Sequence, residues 1–235
     1  MGRVLAVRVI PVMLIKGRLL VKGERFVNDR IVGHALQAAQ IHAARGVDEL
    51  MLIDVAATAE RRGPDLDLIR ELSRDVFVPL TVGGGVQTVW DVDNLLRAGA
   101  DKVLIGAAAR RNLTFIQRVS ERFGSQAIVV AVDWPEETAF SAIAARMAGA
   151  GEILCNNAQR DGTMEGYDLN VIASVARQVD CPVIACGGCS GYEDMRRAIE
   201  AGASAVAAGA LFQYTDCTPR GAAEYLSSHG IEARV

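Results

Sequence analysis

Short apolar runs alternate with amphipathic stretches along this chain. The runs cover 5–15, Leu50–Asp54, Leu80–Val82, Lys102–Ile105, Ala127–Asp133, Ile153–Cys155, Val183–Cys186 and Ala205–Ala208. Their nearly continuous apolar character is that of strands buried on both faces. Between them, stretches such as TVWDVDNLLRAGA and GYEDMRRAIEAGA place apolar residues at helical spacing and close on a glycine, which is how a helix with a defined stop reads. Eight such strand–helix units predict an α/β fold, a (β/α)8 barrel; an open doubly wound sheet is the alternative.

An internal repeat favours the closed ring. VPLTVGGGVQTVWDVDNLLRAGADKVLIGAAA (78–109) aligns without gaps to CPVIACGGCSGYEDMRRAIEAGASAVAAGALF (181–212), so that Gly84 pairs with Gly187, Asp91 with Asp194 and Gly99 with Gly202, each 103 positions apart. The same offset pairs GVDELMLID (46–54) with GAGEILCNN (149–157), and Glu49 with Glu152. The expectation is one domain over 1–235, made of half-barrels at about 1–120 and 121–235.

The net charge of −3 removes the basic footprint that nucleic acid requires. Arg3 and Arg8 break the apolar N-terminal stretch before it could span a membrane. A cytoplasmic protein with neither nucleic-acid nor membrane partner is expected. Five cysteines make no disulfide framework in a chain of this size.

Glycines cluster where the strands end. Gly83, Gly84 and Gly85 follow the third strand, Gly187 and Gly188 the seventh, while IGAAA (105–109, with Gly106) and AGALF (208–212, with Gly209 and Ala210) follow the fourth and eighth. Backbone N–H groups free of side chains can approach phosphate oxygens, and loops in the second half of a barrel recurrently hold phosphate. The matched pair in the first half points to a second anion, and so to a long substrate anionic at both ends. The alternative is that these glycines only make tight turns.

Several strings carry a family resemblance: LVKGERFVN (20–28), PLTVGGGVQTVWD (79–91), AGADKVLI (98–105), RFGSQAIVVAVD (122–133), GAGEIL (149–154) and RDGTMEGYDL (160–169). Over almost its full length the chain resembles the cyclase subunit of imidazole glycerol phosphate synthase. The resemblance implies a barrel that forms a heterodimer with a glutaminase, receives ammonia through a hollow core, and adds it to a small phosphorylated substrate at the other face. It implies no cofactor and no metal. The family's ammonia entrance maps onto Arg8, Glu49, Lys102 and Glu152, all present. Asp101 matches a position near the glutaminase interface, and Lys22 one in the first loop. A structural ion-pair cluster and a solvated lysine are the competing readings.

The resemblance also implies two catalytic aspartates, at the ends of strands one and five, because ring closure needs protons removed and delivered on opposite sides of the substrate. Asp133 fits the second. Leu14 stands in the place of the first, and a leucine transfers no proton. The family's Asn-Thr pair after strand four is Gly106-Ala107, its threonine near the end of strand six is Asn156, its serine after strand eight is Ala210, and WPEETAFSAIAARMAGAGE lacks most of a usual hairpin insertion. Asp161, Gly162 and Thr163 match a substrate-binding loop after strand six; Asp54 is a polar residue at the mouth that could replace the missing base.

The expected function is an ammonia-accepting synthase subunit acting on a different phosphorylated or nucleotide-sugar acceptor, as in sugar amidation. The alternatives are the histidine-biosynthesis cyclase itself and a silent barrel that activates a glutaminase. Cys186 and Cys189 form a C-x-x-C pair, but no histidine accompanies it and cysteine packs as a small hydrophobe, so no metal is expected there.

Overall fold

In the computed structural model, which describes residues 6–135 and 139–234, eight parallel strands close into a ring. They are β1 (Arg8–Lys16), β4 (Leu50–Asp54), β5 (Leu80–Gly83), β6 (Lys102–Ile105), β7 (Ile128–Trp134), β8 (Glu152–Asn157), β9 (Val183–Cys186) and β10 (Ala205–Ala208). Each pairs with the next, and β10 returns to β1 through the register Arg8↔Ala205 to Pro11↔Ala208. The fold is therefore the (β/α)8 barrel that the periodicity predicts, and the open sheet is excluded. Strand one begins at Arg8 among the described residues, and residue 5 of its expected span lies outside them. Ala127 belongs to a short 3-10 turn, with the strand starting at Ile128.

The repeat has a physical cause at the helix ends. Helix α3 (Val89–Ala98) opens on Thr88, whose hydroxyl accepts from the Asp91 amide while Asp91 Oδ2 accepts from the Thr88 amide, and stops at Gly99 with φ 115°. At the matching place before α8 (Tyr192–Glu200), Asp194 Oδ2 accepts from the Ser190 amide and hydroxyl. Asp65 and Asp168 cap α2 (Leu66–Asp75) and α7 (Leu169–Ala176) in the same way, each accepting from the amide three residues on. Such caps satisfy orphan N–H groups and fix where each helix leaves its loop.

One element has no counterpart among the expected strands. After β1 the chain folds into the antiparallel hairpin β2 (Leu19–Glu24) and β3 (Val27–His34), with Ile15 opposite Leu20. Its tip, Arg25 and Phe26, has positive φ at both residues, a turn that glycine or asparagine normally fills. Hydrogen bonds from Arg25 N to Asp161 O (2.8 Å) and from Arg25 Nε to Gln159 O (2.9 Å) hold it across the barrel mouth. No helix among the described residues is long and apolar enough to cross a membrane.

Candidate functional site

The side chains that point inward along the strands divide into three levels. At the N-terminal end, Arg8 donates from Nη1 to Glu49 (2.7 Å) and from Nη2 to Glu152 (2.9 Å), while Lys102 Nζ reaches Glu49 at 2.9 Å and Glu152 at 2.8 Å. The sequence-predicted residues thus form a closed ring of four ion pairs, with the hydroxyl of Thr81 donating to Glu49 at 2.6 Å. Burial alone would raise the Glu152 pKa and lower that of Arg8. The contacts within the ring outweigh it, leaving Glu152 below and Arg8 above their ordinary values. Asp101 lies beside this floor, where its carboxylate accepts from the Leu80 amide at 2.8 Å.

Two residues further along the same strands, Ile10, Met51, Leu104 and Leu154 face the same side and join one buried cluster with Val129 and Ile184. This corrects the expectation of a hollow core. The axis above the ring is filled by apolar side chains, because a barrel of eight strands is just wide enough for its interior to pack like any protein core.

At the carboxyl end a cavity of about 430 Å³ opens among Leu14, Ile53, Asp133, Asn156, Asp161 and the glycine loops. Asp133 ends β7, and Asn156, its register partner on β8, donates from Nδ2 to Asp133 Oδ1 at 2.9 Å. Arg110, in the short helix α4 (Ala107–Arg111), lies 3.5 Å from the other oxygen. Leu14 is buried and supplies an apolar wall. Part of the shortened segment after Asp133, residues 136–138, falls outside the described residues.

Asp54 does not stand in for the missing carboxylate. Its Oδ1 accepts from the amides of Ala56 and Ala57, and both oxygens take the guanidinium of Arg62 at 2.6 and 3.0 Å. These contacts commit the Asp54 carboxylate to holding its own loop.

Lys22 is buried rather than solvated. Its ammonium meets Asp161 at 2.5 Å, and the two line a small recess with Gly162, Gly187, Gly188, Gly209 and Ala210. Thr163 turns its hydroxyl back onto Arg160 O at 2.9 Å. On the opposite side Gly84, Gly85 and Gly106 line the main cavity. The glycines have a packing reason of their own. A Cβ on Gly84 would sit 2.2 Å from Asp54 O, one on Gly187 2.5 Å from Asn157 O, and one on Gly83 2.9 Å from Leu104 Cβ. Tight approach of each loop to its neighbouring strand therefore accounts for these residues by itself, and the same bareness leaves the loops open to an anion.

Cys186 and Cys189 are buried and their thiols are pushed up by burial, Cys189 to about 12, which makes them inert as nucleophiles. Sequence reasoning missed Arg62, Arg110, Arg111 and the Phe26 tip. The arginine pair was legible as a basic doublet directly after the IGAAA loop.

Comparison with known proteins agrees with this architecture. A family model described as "Histidine biosynthesis protein" matches residues 8–218. The chain is 39% identical over 249 residues to the imidazole glycerol phosphate synthase subunit HisF of Endomicrobium trichonymphae, covering 98% of this chain and 96% of the relative. It is 41% identical to the subunit of the same name from Streptomyces coelicolor and 43% identical to that of Streptomyces griseus, each over 90% of this chain and 92% of the relative.

Proposed function

Since this chain belongs to the histidine biosynthesis protein family, with relatives named as HisF subunits over nearly its full length, we propose that it is the ammonia-accepting subunit of a cytoplasmic complex of the imidazole glycerol phosphate synthase type, with a glutaminase as its partner. The observation that carries this reading is the vertical order of the barrel: a ring of four paired charges, an apolar interior, then a carboxylate in a cavity flanked by glycine loops. In this proposal both half-barrels, about 1–120 and 121–235, form one working unit. Ammonia released at the floor enters where the ion pairs part. It is uncharged and smaller than a methyl group, so rotamer motions among Ile10, Met51 and their neighbours are enough to let it pass. At the rim, Asp133 accepts a proton from the attacking nitrogen, while Asn156 and Arg110 hold its carboxylate in place. The glycine loops on either side take the anionic ends of the substrate.

The names of the relatives favour imidazole formation over the sugar acceptor expected from sequence. A second reading, a different phosphorylated acceptor, is favoured by one observation: Leu14 lines the cavity where a second acid–base group would stand, and loss of such a group costs about 10²–10⁴ in rate. Complementation separates the two. Growth of a strain lacking the histidine-pathway cyclase subunit, restored by this chain and abolished by Asp133→Asn, supports imidazole formation. Absence of growth, with the chain stably expressed and stimulating its glutaminase, supports the changed acceptor.

A further inference from the structure

The cavity at the mouth has two unlike walls. Strands β1 and β7 stand four places apart in either direction round the ring, so Leu14 and Asp133 line the same space from opposite sides. On the Asp133 side the contacts are polar, with Asn156 donating to the carboxylate at 2.9 Å and Arg110 lying 3.5 Å from it. On the other side Leu14 stands in register with Ile53 on β4. Val12 and Leu14 belong to a buried cluster against which Ile53 and Val55 pack, and all four line the cavity together with Phe26 of the hairpin tip. Ile53 and Val55 are half-buried and Phe26 is exposed, so this wall presents apolar surface backed by Leu14.

The polar groups next to that wall are committed elsewhere. Asp54, which follows Ile53, holds its own loop and Arg62. Lys16, two residues beyond Leu14, is bound to Asp29 at 2.6 Å. A hydroxyl or a charge brought against Leu14 and Ile53 would give up its water, and two hydrocarbon side chains offer no donor or acceptor in exchange. A bare ring or hydrocarbon group would gain from the same burial. We infer that Leu14 and Ile53 are specificity-determining residues, which select an acceptor whose flank turned away from Asp133 is a bare ring or hydrocarbon group and reject one hydroxylated or charged there. The inference rests on the cavity being the acceptor site.

The hairpin tip adds to the same wall at a backbone cost. Arg25 and Phe26 hold φ of 54° and 59°, a region that residues with side chains rarely adopt and that recurs at ligand clamps. Hydrogen bonds from Arg25 to Asp161 O and Gln159 O fix the tip across the mouth, where 41% of Phe26 stays exposed. An aromatic ring held open over Ile53 and Val55 has a partner once an apolar flank of the acceptor lies against them.

The test is calorimetric titration of the full chain with two phosphomonoester probes of like ring size: phenyl phosphate, whose ring is bare, and myo-inositol phosphate, whose ring is hydroxylated all round. The wild type is expected to bind phenyl phosphate at least about tenfold more tightly. Leu14→Asn and Ile53→Thr, which bring a donor and an acceptor to the wall, should reduce that preference to about threefold or less. Leu14→Met, which keeps the wall apolar at nearly constant volume, should retain it, as should Ile41→Asn, an exposed position outside the cavity. Urea unfolding confirms that each variant is folded, and Ile53→Thr, the milder change at a half-buried residue, carries the test if Leu14→Asn does not fold. Equal affinities in the wild type, no binding of either probe, or an unchanged preference in the folded wall variants overturns the inference. The titration needs no glutaminase. Failed complementation alongside a wall-dependent preference would remove imidazole formation alone, and complementation without the preference would remove the inference alone.

Discussion

Asp133 and Asn156 stand opposite each other in the β7–β8 register and share a 2.9 Å hydrogen bond in which the amide of Asn156 donates to Oδ1 of the carboxylate. The carboxylate proposed as the acid–base group of the rim thus takes one of its contacts from the adjacent strand. Asp133→Asn is expected to lower product formation by about 10²–10⁴ while leaving glutaminase stimulation intact. Asn156→Ala, which removes the orienting bond and keeps the carboxylate, should cost about tenfold, the equivalent of one hydrogen bond. Steady-state assay of the complex with both variants checks this, and equal losses would assign the two residues equal roles.

The floor ring makes a stability prediction with a pH signature. Lys102→Met leaves the buried Glu49 and Glu152 sharing Arg8 alone, an imbalance expected to cost about 3 kcal/mol. In the wild type the Glu152 pKa lies below its ordinary value, burial being outweighed first by Arg8 and then by Lys102. Its contribution is present at neutral pH and is lost as pH falls through the folded pKa. Removing Lys102 lifts that pKa, so loss should begin at a higher pH. Urea unfolding at a series of pH values measures both effects.

Much of this arrangement was legible beforehand because it repeats. Strand and helix periods gave the eight units, the 103-residue offset tied Glu49 to Glu152, and the inward phase of the strands carried both to one level of the barrel. Three features were hidden, each set by contacts distant in sequence. The β2–β3 hairpin acquires its place from bonds between Arg25 and the loop at 159–161. Asp54 is satisfied by Arg62 only once its loop has folded back. The interior is closed by Ile10, Met51, Leu104 and Leu154, and no pattern of alternating residues distinguishes a wide barrel from a packed one. Arg110 and Arg111, which follow the IGAAA loop, line the cavity only through the turn of the short helix that carries them.

Gly187 is predicted to tolerate no side chain. Its φ of 86° is already unfavourable for other residues, and a Cβ would lie 2.5 Å from Asn157 O and 2.9 Å from Asn156 Oδ1. Gly187→Ala should destabilise the protein by about 1–3 kcal/mol through overpacking and disturb Asn156 as well. Gly17→Ala, with nothing within 4 Å of its Cβ, should cost less despite a positive φ. Thermal unfolding of the two variants gives the comparison.

The buried His42 supplies an acid-sensitive element. Burial, and then the charge of Arg45, lowers its pKa from 6.5 to about 4, and its ring packs edge-on to Phe212 with Nδ1 unpartnered. The unfolded chain binds this proton more readily, so stability is full above about pH 6.5 and falls as pH drops toward 4, by on the order of 2–3 kcal/mol. His42→Leu should flatten that limb, as read by urea midpoints at pH 7 and pH 5.

The central claim is that nitrogen enters at the charged floor and reacts at Asp133, and isotope transfer tests it most directly. The full chain, isolated with its glutaminase, would be given glutamine labelled with nitrogen-15 at the amide in an excess of unlabelled ammonium, with the products weighed by mass spectrometry. The account predicts a small product carrying undiluted label with the wild type, and continued glutamine hydrolysis with no labelled product for Asp133→Asn. Label diluted to the ammonium pool in the wild-type product, or labelled product undiminished in Asp133→Asn, would contradict it.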